Sequence, residues 1–141
     1  MTTPVRFTYG DTDASRRGKN LLAHLSITLH HGTHAVTVPG LLDTGSTVNV
    51  LPYNVGVQLG MVWDQQPTRV HLTGNLARLP ARGVIITGQV ALFPLVELAF
   101  AWTQSTEVPV ILGQVNFFME FDVCFFGSQA AFEINPKHKA N

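Results

Sequence analysis

The sequence predicts an all-β domain carrying one or two short helices. Three observations predict this class. Apolar and polar residues alternate with a period of two in several short runs. Glycine, proline and asparagine punctuate those runs, and only two segments space their apolar residues as a helix would.

The elements follow in chain order. Val5, Phe7 and Tyr9 alternate with Arg6 and Thr8, the pattern of a half-buried strand. The polar, charged stretch from Asp11 to Asn20 reads as a surface loop. Leu21 to His30 is a strand with Leu25, Ile27 and Leu29 on one face; His31-Gly32-Thr33 turns it, and Ala35 to Val38 returns until Pro39-Gly40 breaks the run. Leu41-Leu42 then leads into Asp43, and Val48 to Leu51 is a short apolar strand. Pro52 to Leu59 suits a helix, with Pro52 in its first turn and Gly60 at its end. Gly74, Asn75, Pro80 and Gly83 lie among apolar residues between Arg69 and Thr87, which suits a long hairpin. Val84 to Leu92 and Leu95 to Trp102 are strands separated by Phe93-Pro94. A polar loop, Thr103 to Glu107, precedes a strand from Val108 to Leu112 that ends at Gly113. Gln114 to Phe121 is the second helix candidate, with Val115, Phe118 and Met119 on one face. Ala130 to Ile134 is the last strand, before a polar tail from Pro136.

At 141 residues the chain fits one domain, residues 1–141. Charged residues make up 13% of it, against a usual share of about 25%, so part of the neutral surface is expected to meet a partner. Nine basic and nine acidic residues cancel, which argues against electrostatic binding to nucleic acid or to anionic membranes. The apolar stretch from Gly83 to Trp102 is interrupted by Gly88, Gln89, Pro94 and Glu97, and reads as strands rather than a membrane span. The first residues lack the charged start and apolar run of a secretory signal, so a cytoplasmic protein is expected. Cys124 is the one cysteine, which excludes an intrachain disulfide and a paired-cysteine zinc site. With no activating base or cation beside it, Cys124 is expected as a small buried hydrophobe. His30, His31 and His34 surround a turn, but alternation sends neighbours to opposite faces, and no metal or cofactor is expected. Trp63 and Trp102 are expected in core or interface packing.

Chemistry concentrates at Asp43-Thr44-Gly45-Ser46. An apolar strand is expected to deliver the carboxylate to a buried position. Gly45 lets the backbone turn tightly and lets a substrate or second subunit approach closely. Thr44 offers a hydroxyl to a neighbouring backbone, and Ser46 a hydrogen bond to the carboxylate. Taken alone, the triplet is better read as an Asx turn after a strand. Its context says more. Two leucines precede the triplet, an apolar strand follows it, and Val110-Ile111-Leu112-Gly113 lies about seventy residues downstream, before a helix-like segment.

These features resemble the retroviral-type aspartic proteases, the retropepsins. Their pattern is two apolar residues and Asp-Thr-Gly-Ala/Ser, then a glycine-bearing flap hairpin, then two apolar residues and Gly leading into a short helix. Here it reads Leu41-Leu42-Asp43-Thr44-Gly45-Ser46, Leu72-Thr73-Gly74-Asn75, and Ile111-Leu112-Gly113-Gln114, over residues 21 to 134. The resemblance implies a closed β-barrel, homodimerisation and endopeptidase activity on a polypeptide. Chemistry supports the dimer independently, because the mechanism needs two carboxylates sharing one proton. This chain has one Asp-Thr-Gly and is too short for a two-lobed enzyme, so the second Asp43 must come from another copy.

By the same resemblance Asp43, Thr44 and Gly45 form the catalytic triplet. Thr47, Val50, Leu72, Thr73, Gly74, Asn75 and Ile111 contact substrate, and Leu112, Gly113 and Gln114 support the site. Ser46 would favour the ionised carboxylate and shift the activity optimum towards acid. The flap, near Thr73 to Leu76, would close over substrate, with Arg78 to Arg82 as a possible enlargement. Viral enzymes carry an acid two positions after the motif glycine and an Arg after the downstream Gly; here these are Thr47 and Gln114, which implies a neutral contact between them. Val5 to Tyr9 and Ala131 to Ile134 either form a dimer interface anchored by Phe7, Phe132 and Ile134 or close their own sheet. The rival functional readings are a retropepsin-like dimer that binds peptide without cutting it, and one dimerising domain of a longer polyprotein.

Overall fold

A computed structural model describes residues 3–9 and 22–137; the loop expected over 11–20 lies outside the described residues. The described strands are β1 (Val5–Thr8), β2 (His24–His31), β3 (His34–Leu42), β4 (Asn49–Leu51), β5 (Arg69–His71), β6 (Pro80–Gln89), β7 (Val96–Thr103), β8 (Val110–Leu112), β9 (Phe121–Phe126) and β10 (Ala131–Pro136). The helices are α1 (Tyr53–Gln58) and α2 (Phe117–Glu120), both short. The larger sheet runs β2-β3-β8-β4-β7-β6-β5, and pairing of β2 with β6 closes six of its strands into a barrel. β5 hangs on the outside of β6, paired on one side only. No described helix is long and apolar enough to cross a membrane.

Alternation sets the barrel interior. Leu25, Ile27 and Leu29 of β2 are fully buried, as their spacing predicts, and meet Ile86, Leu98, Phe100 and Trp102 in the main core. Gly32, at φ +57°, supplies the left-handed backbone that a two-residue hairpin turn requires between β2 and β3. α1 runs over the expected segment and packs on Trp102, which stacks on Tyr53 and meets Trp63 edge-on. A side chain at Gly56 would sit 2.2 Å from the Trp102 ring, so glycine is what lets this helix lie so close.

Three expectations are corrected. β3 does not break at Pro39-Gly40 but continues to Leu42. Counting alternate pairs from the hairpin turn places Pro39, opposite Ser26, at a non-hydrogen-bonded pair, where its missing N–H costs the ladder nothing. The second helix shrinks to α2, and Val115 and Met119 are 50% and 60% exposed while Phe117 and Phe121 are buried. The reason lies upstream: Gln114 and Val115 donate backbone hydrogen bonds to the Ser46 and Thr47 carbonyls, which keeps them extended. β9 is an added strand, and Cys124 on it is exposed because Phe121 and Val123 take the inward positions. Of the two readings of the terminal strands, the structure bears out closure of their own sheet, β1-β10-β9. Phe132 and Ile134 are buried within the chain, and Phe7 stacks on Phe132 at 5.4 Å.

A second, smaller apolar cluster sits apart from the main core. Val50, Leu72, Ala81, Ala101 and Ile111 form it, drawn from β4, β6, β7, β8 and the residue after β5. It lies beneath the candidate site.

Candidate active site

Asp43 is the first residue beyond β3, and its position is set by β8. Leu42 pairs in parallel with Leu112, and the Asp43 N–H donates to the Leu112 carbonyl at 3.0 Å. The chain then turns tightly, with the Ser46 N–H donating to the Asp43 carbonyl at 3.1 Å. Within that turn the Gly45 N–H donates to Asp43 Oδ1 at 3.0 Å, orienting one carboxylate oxygen and leaving the group half-buried. Thr44 and Gly45 are exposed at the rim.

Gly113 is the other half of the cradle. A Cβ there would stand 2.4 Å from the Val48 carbonyl oxygen and 2.8 Å from that of Ser46, so two backbones meet where only glycine fits. Its N–H donates to Asn49 Oδ1 at 2.7 Å. Asn49 is fully buried, and its amide donates to the Ala99 carbonyl and to Asn116 Oδ1, which also accepts from the Ala99 N–H. Asn116 in turn donates to the Glu97 carbonyl. Two asparagines thus tie the motif strand, β7 and the segment after β8 into one polar lattice. Buried polar groups are tolerated on such terms, with donors and acceptors matched.

The carboxylate faces a cleft of about 310 Å³. Gly45, Ser46, Thr47, Val48 and Val50 line one side, Ile111 the floor, and Leu72, Thr73, Gly74 and Asn75 the facing hairpin. The sequence-predicted substrate contacts, more than sixty residues apart along the chain at the extremes, therefore converge on one space. Thr44, Leu112, Gly113 and Gln114 do not line it; they hold its wall from behind or beside. The hairpin tip spans the residues between β5 and β6, with a single 3-10 turn at Gly74–Leu76. Gly74 takes φ +65° there, in open space. Arg82 belongs to the paired strand, opposite Arg69, rather than to the tip.

Two expected contacts are corrected. The Ser46 hydroxyl donates to the Val48 carbonyl at 2.7 Å, not to the carboxylate. The Gln114 side chain donates to the Thr44 carbonyl at 2.7 Å, not to Thr47, which is exposed and lines the cleft. In both cases a backbone carbonyl accepts in place of the expected side chain. Sequence reasoning missed Val48 and His71 in the lining, and Asn49 and Asn116 behind it. Asn49 did carry a signal: a polar residue between two valines of an otherwise apolar strand. The turn histidines serve the fold, with His31 Nδ1 against the Leu59 carbonyl at 3.1 Å and the His34 ring over Gly60.

Among solved structures the chain is similar to a retropepsin-like aspartic protease from Rickettsia conorii. The TM-score is 0.63 over 96% of this chain and 97% of that one, at 14% identity. It is also similar to EIAV protease in complex with an inhibitor, at TM-score 0.49 over 66% of this chain and 82% of that one, with 16% identity. No family model matches the sequence, and no curated protein matches it. With a closed barrel, two short helices and this likeness, the chain has a retropepsin-like fold.

Proposed function

We propose that the chain is an aspartic endopeptidase, residues 1–141 forming one such domain, that works as a homodimer with Asp43 of each copy supplying one carboxylate. The observation that carries this reading is the convergence of Asp43, the hairpin tip and an apolar floor on a single cleft. Asp43 is the one Asp or Glu lining that cleft among the described residues. A proton-sharing pair therefore needs a second copy, and the exposed Thr44 and Gly45 leave the motif loop accessible to one.

In the proposed reaction a water lies between the two Asp43 carboxyl groups, one ionised and one protonated. The ionised group takes a proton from the water as its oxygen attacks the peptide carbonyl carbon. The protonated group gives its proton to the carbonyl oxygen, forming a neutral tetrahedral diol. Collapse of the diol breaks the C–N bond, and a proton passes to the leaving amine. The Gly45 N–H fixes Oδ1 during these transfers. Val50, Leu72 and Ile111 take apolar substrate side chains, while Thr73 to Asn75 cover the bound chain and keep bulk water out.

Peptide-library cleavage by wild type and by Asp43→Asn, across roughly pH 3–7 around carboxyl titration, tests the reading. Cleavage by the wild type is expected to fall by about 10²–10⁴ or more in the variant, the range for loss of a general acid–base group. Specific activity should also rise with protein concentration as monomers pair. A dimeric wild type that cuts nothing, or a variant that cuts as well, would overturn it in favour of a peptide-binding module.

A further inference from the structure

We propose that the substrate groove continues past the cleft into an apolar trough on the outer face of β6 and β7. The trough takes one large apolar side chain of the bound polypeptide, beyond the residues that flank the cut bond. This inference rests on the peptidase reading above. Outward positions of a barrel whose inner face holds the core are expected to be polar. Here four neighbouring ones are not. Gly83 stands opposite Ala101, and Ile85 opposite Ala99. Alternation places all four on the face away from Leu98, Phe100 and Trp102, which belong to the main core. Polarity returns at the next outward pair, Thr87 and Glu97.

These residues floor a space of about 280 Å³, close in size to the cleft itself. The sheet order puts β4 on one side of it and β5 on the other. Val48 and Val115 therefore form one wall, and Thr68 and Val70 the opposite one. A Cβ at Gly83 would stand 3.3 Å from a methyl of Thr68 and of Val70, so glycine keeps the floor open between them. No lining residue is charged. Ile85 and Val115 are 59% and 50% exposed, and exposed apolar residues gathered in one patch mark a binding surface.

Continuity with the cleft identifies the occupant. Val48 lines both spaces. Val70 and Ala101 line the trough and also pack in the cluster beneath the cleft, with Ala81. Ile85 follows Ala81 by four residues on the same face of β6, so the apolar strip runs about 13 Å outward from the cleft floor. An extended peptide advances at the same pitch. One seated over Val50 and Ile111 therefore brings a further side chain past Val48 into the trough. A neutral lining offers nothing to an anionic chain or a nucleic acid and suits Leu, Phe or Met. Two copies supply two such troughs about a two-fold axis, so one peptide is read at equal distances on both flanks.

The test uses fluorescent peptides with an apolar centre and Ser flanks, in which one Phe is moved outward from the centre on either side. Binding is read on Asp43→Asn, and KM and kcat on the wild type. One outward position on each flank is expected to tighten binding about tenfold, the worth of a partly buried large apolar side chain. In the wild type the gain should sit in KM, since the contact is made equally before and during the reaction. It should approach unity when Ile85→Thr removes the exposed apolar side chain or Ala99→Leu fills the floor, and persist in Ile85→Val. Circular dichroism checks that each variant is folded. A gain confined to the central residues, or one that survives both Ile85→Thr and Ala99→Leu, overturns the proposal. So does Ile85→Thr weakening self-association with peptide binding unchanged, which would make the trough a contact between copies. If the wild type cuts none of the peptides while Asp43→Asn keeps the outward gain and loses it with Ile85→Thr, the peptidase reading fails and the trough stands.

Discussion

The two walls of the cleft are built to opposite specifications. The motif wall is held on several sides: β8 lies between β3 and β4, its three residues are buried, and Asn49 satisfies the Gly113 amide from within. The hairpin wall has β5 paired on one side, and Thr73, Gly74 and Asn75 at its tip are exposed. Yet both walls meet in one apolar cluster, through Val50 and Ile111 from the first and Leu72 and Ala81 from the second. The difference separates two tasks. On the proposed reading, a carboxylate that must be held within a few tenths of an ångström belongs on the rigid wall, and a cover that must open belongs on the weakly held one.

That contrast can be broken or sharpened by substitution. The largest stability effect is expected for Asn49→Ala, which strands the buried Gly113 N–H and the Asn116 amide oxygen's partner network. A loss of about 3 kcal/mol in urea unfolding is expected, and a loss well under 1 kcal/mol would mean the lattice does not hold the rigid wall. Gly113→Ala comes next. Its Cβ would collide with two backbone carbonyls that cannot swing aside, so about 2 kcal/mol is expected, with cleavage falling further than stability because Asp43 hangs on the neighbouring Leu112 carbonyl. On the other wall, Gly74→Ala should cost only about 1 kcal/mol, since the site is open and the penalty is the positive φ alone. Steady-state kinetics should show kcat and KM moving together, as for a stiffened cover. The smallest effect is reserved for Ser46→Ala. Loss of the bond to the Val48 carbonyl is worth about 1 kcal/mol or less, and the pH–rate profile should overlay the wild type. A shifted profile would show the hydroxyl turning to the carboxylate once two copies meet.

How much of this was legible in the sequence follows the same division. The rigid wall announced itself, because Leu41-Leu42-Asp43-Thr44-Gly45 and Ile111-Leu112-Gly113 are local strings whose apolar pattern and glycine each carry a steric meaning. Their convergence, with the hairpin at Leu72 to Asn75, was implied by the resemblance to the retropepsins and not by the strings themselves. What stayed hidden was partner choice among polar groups. Ser46 and Gln114 each had a plausible side-chain partner, but the Val48 and Thr44 carbonyls accept instead, and no spacing rule reports that. The strand through Pro39 was hidden for a related reason: whether a proline breaks a strand depends on which side its nitrogen faces, which only the register reveals. β9 was missed because Phe121 to Phe126 offers four bulky apolar residues in six, so period-2 alternation is blurred on an edge strand whose outer side chains are also apolar.

The bond from Gln114 to the Thr44 carbonyl joins residues seventy positions apart, and the bond from Gly113 to Asn49 spans sixty-four. Such closures come late in folding, since most of the intervening chain must be ordered before they form. A ribosome that has released the motif loop but not yet β8 holds a chain with its carboxylate exposed and unaimed. On the peptidase reading proposed above, the reactive geometry would exist only after β8 has been made and has docked, and two finished copies have met.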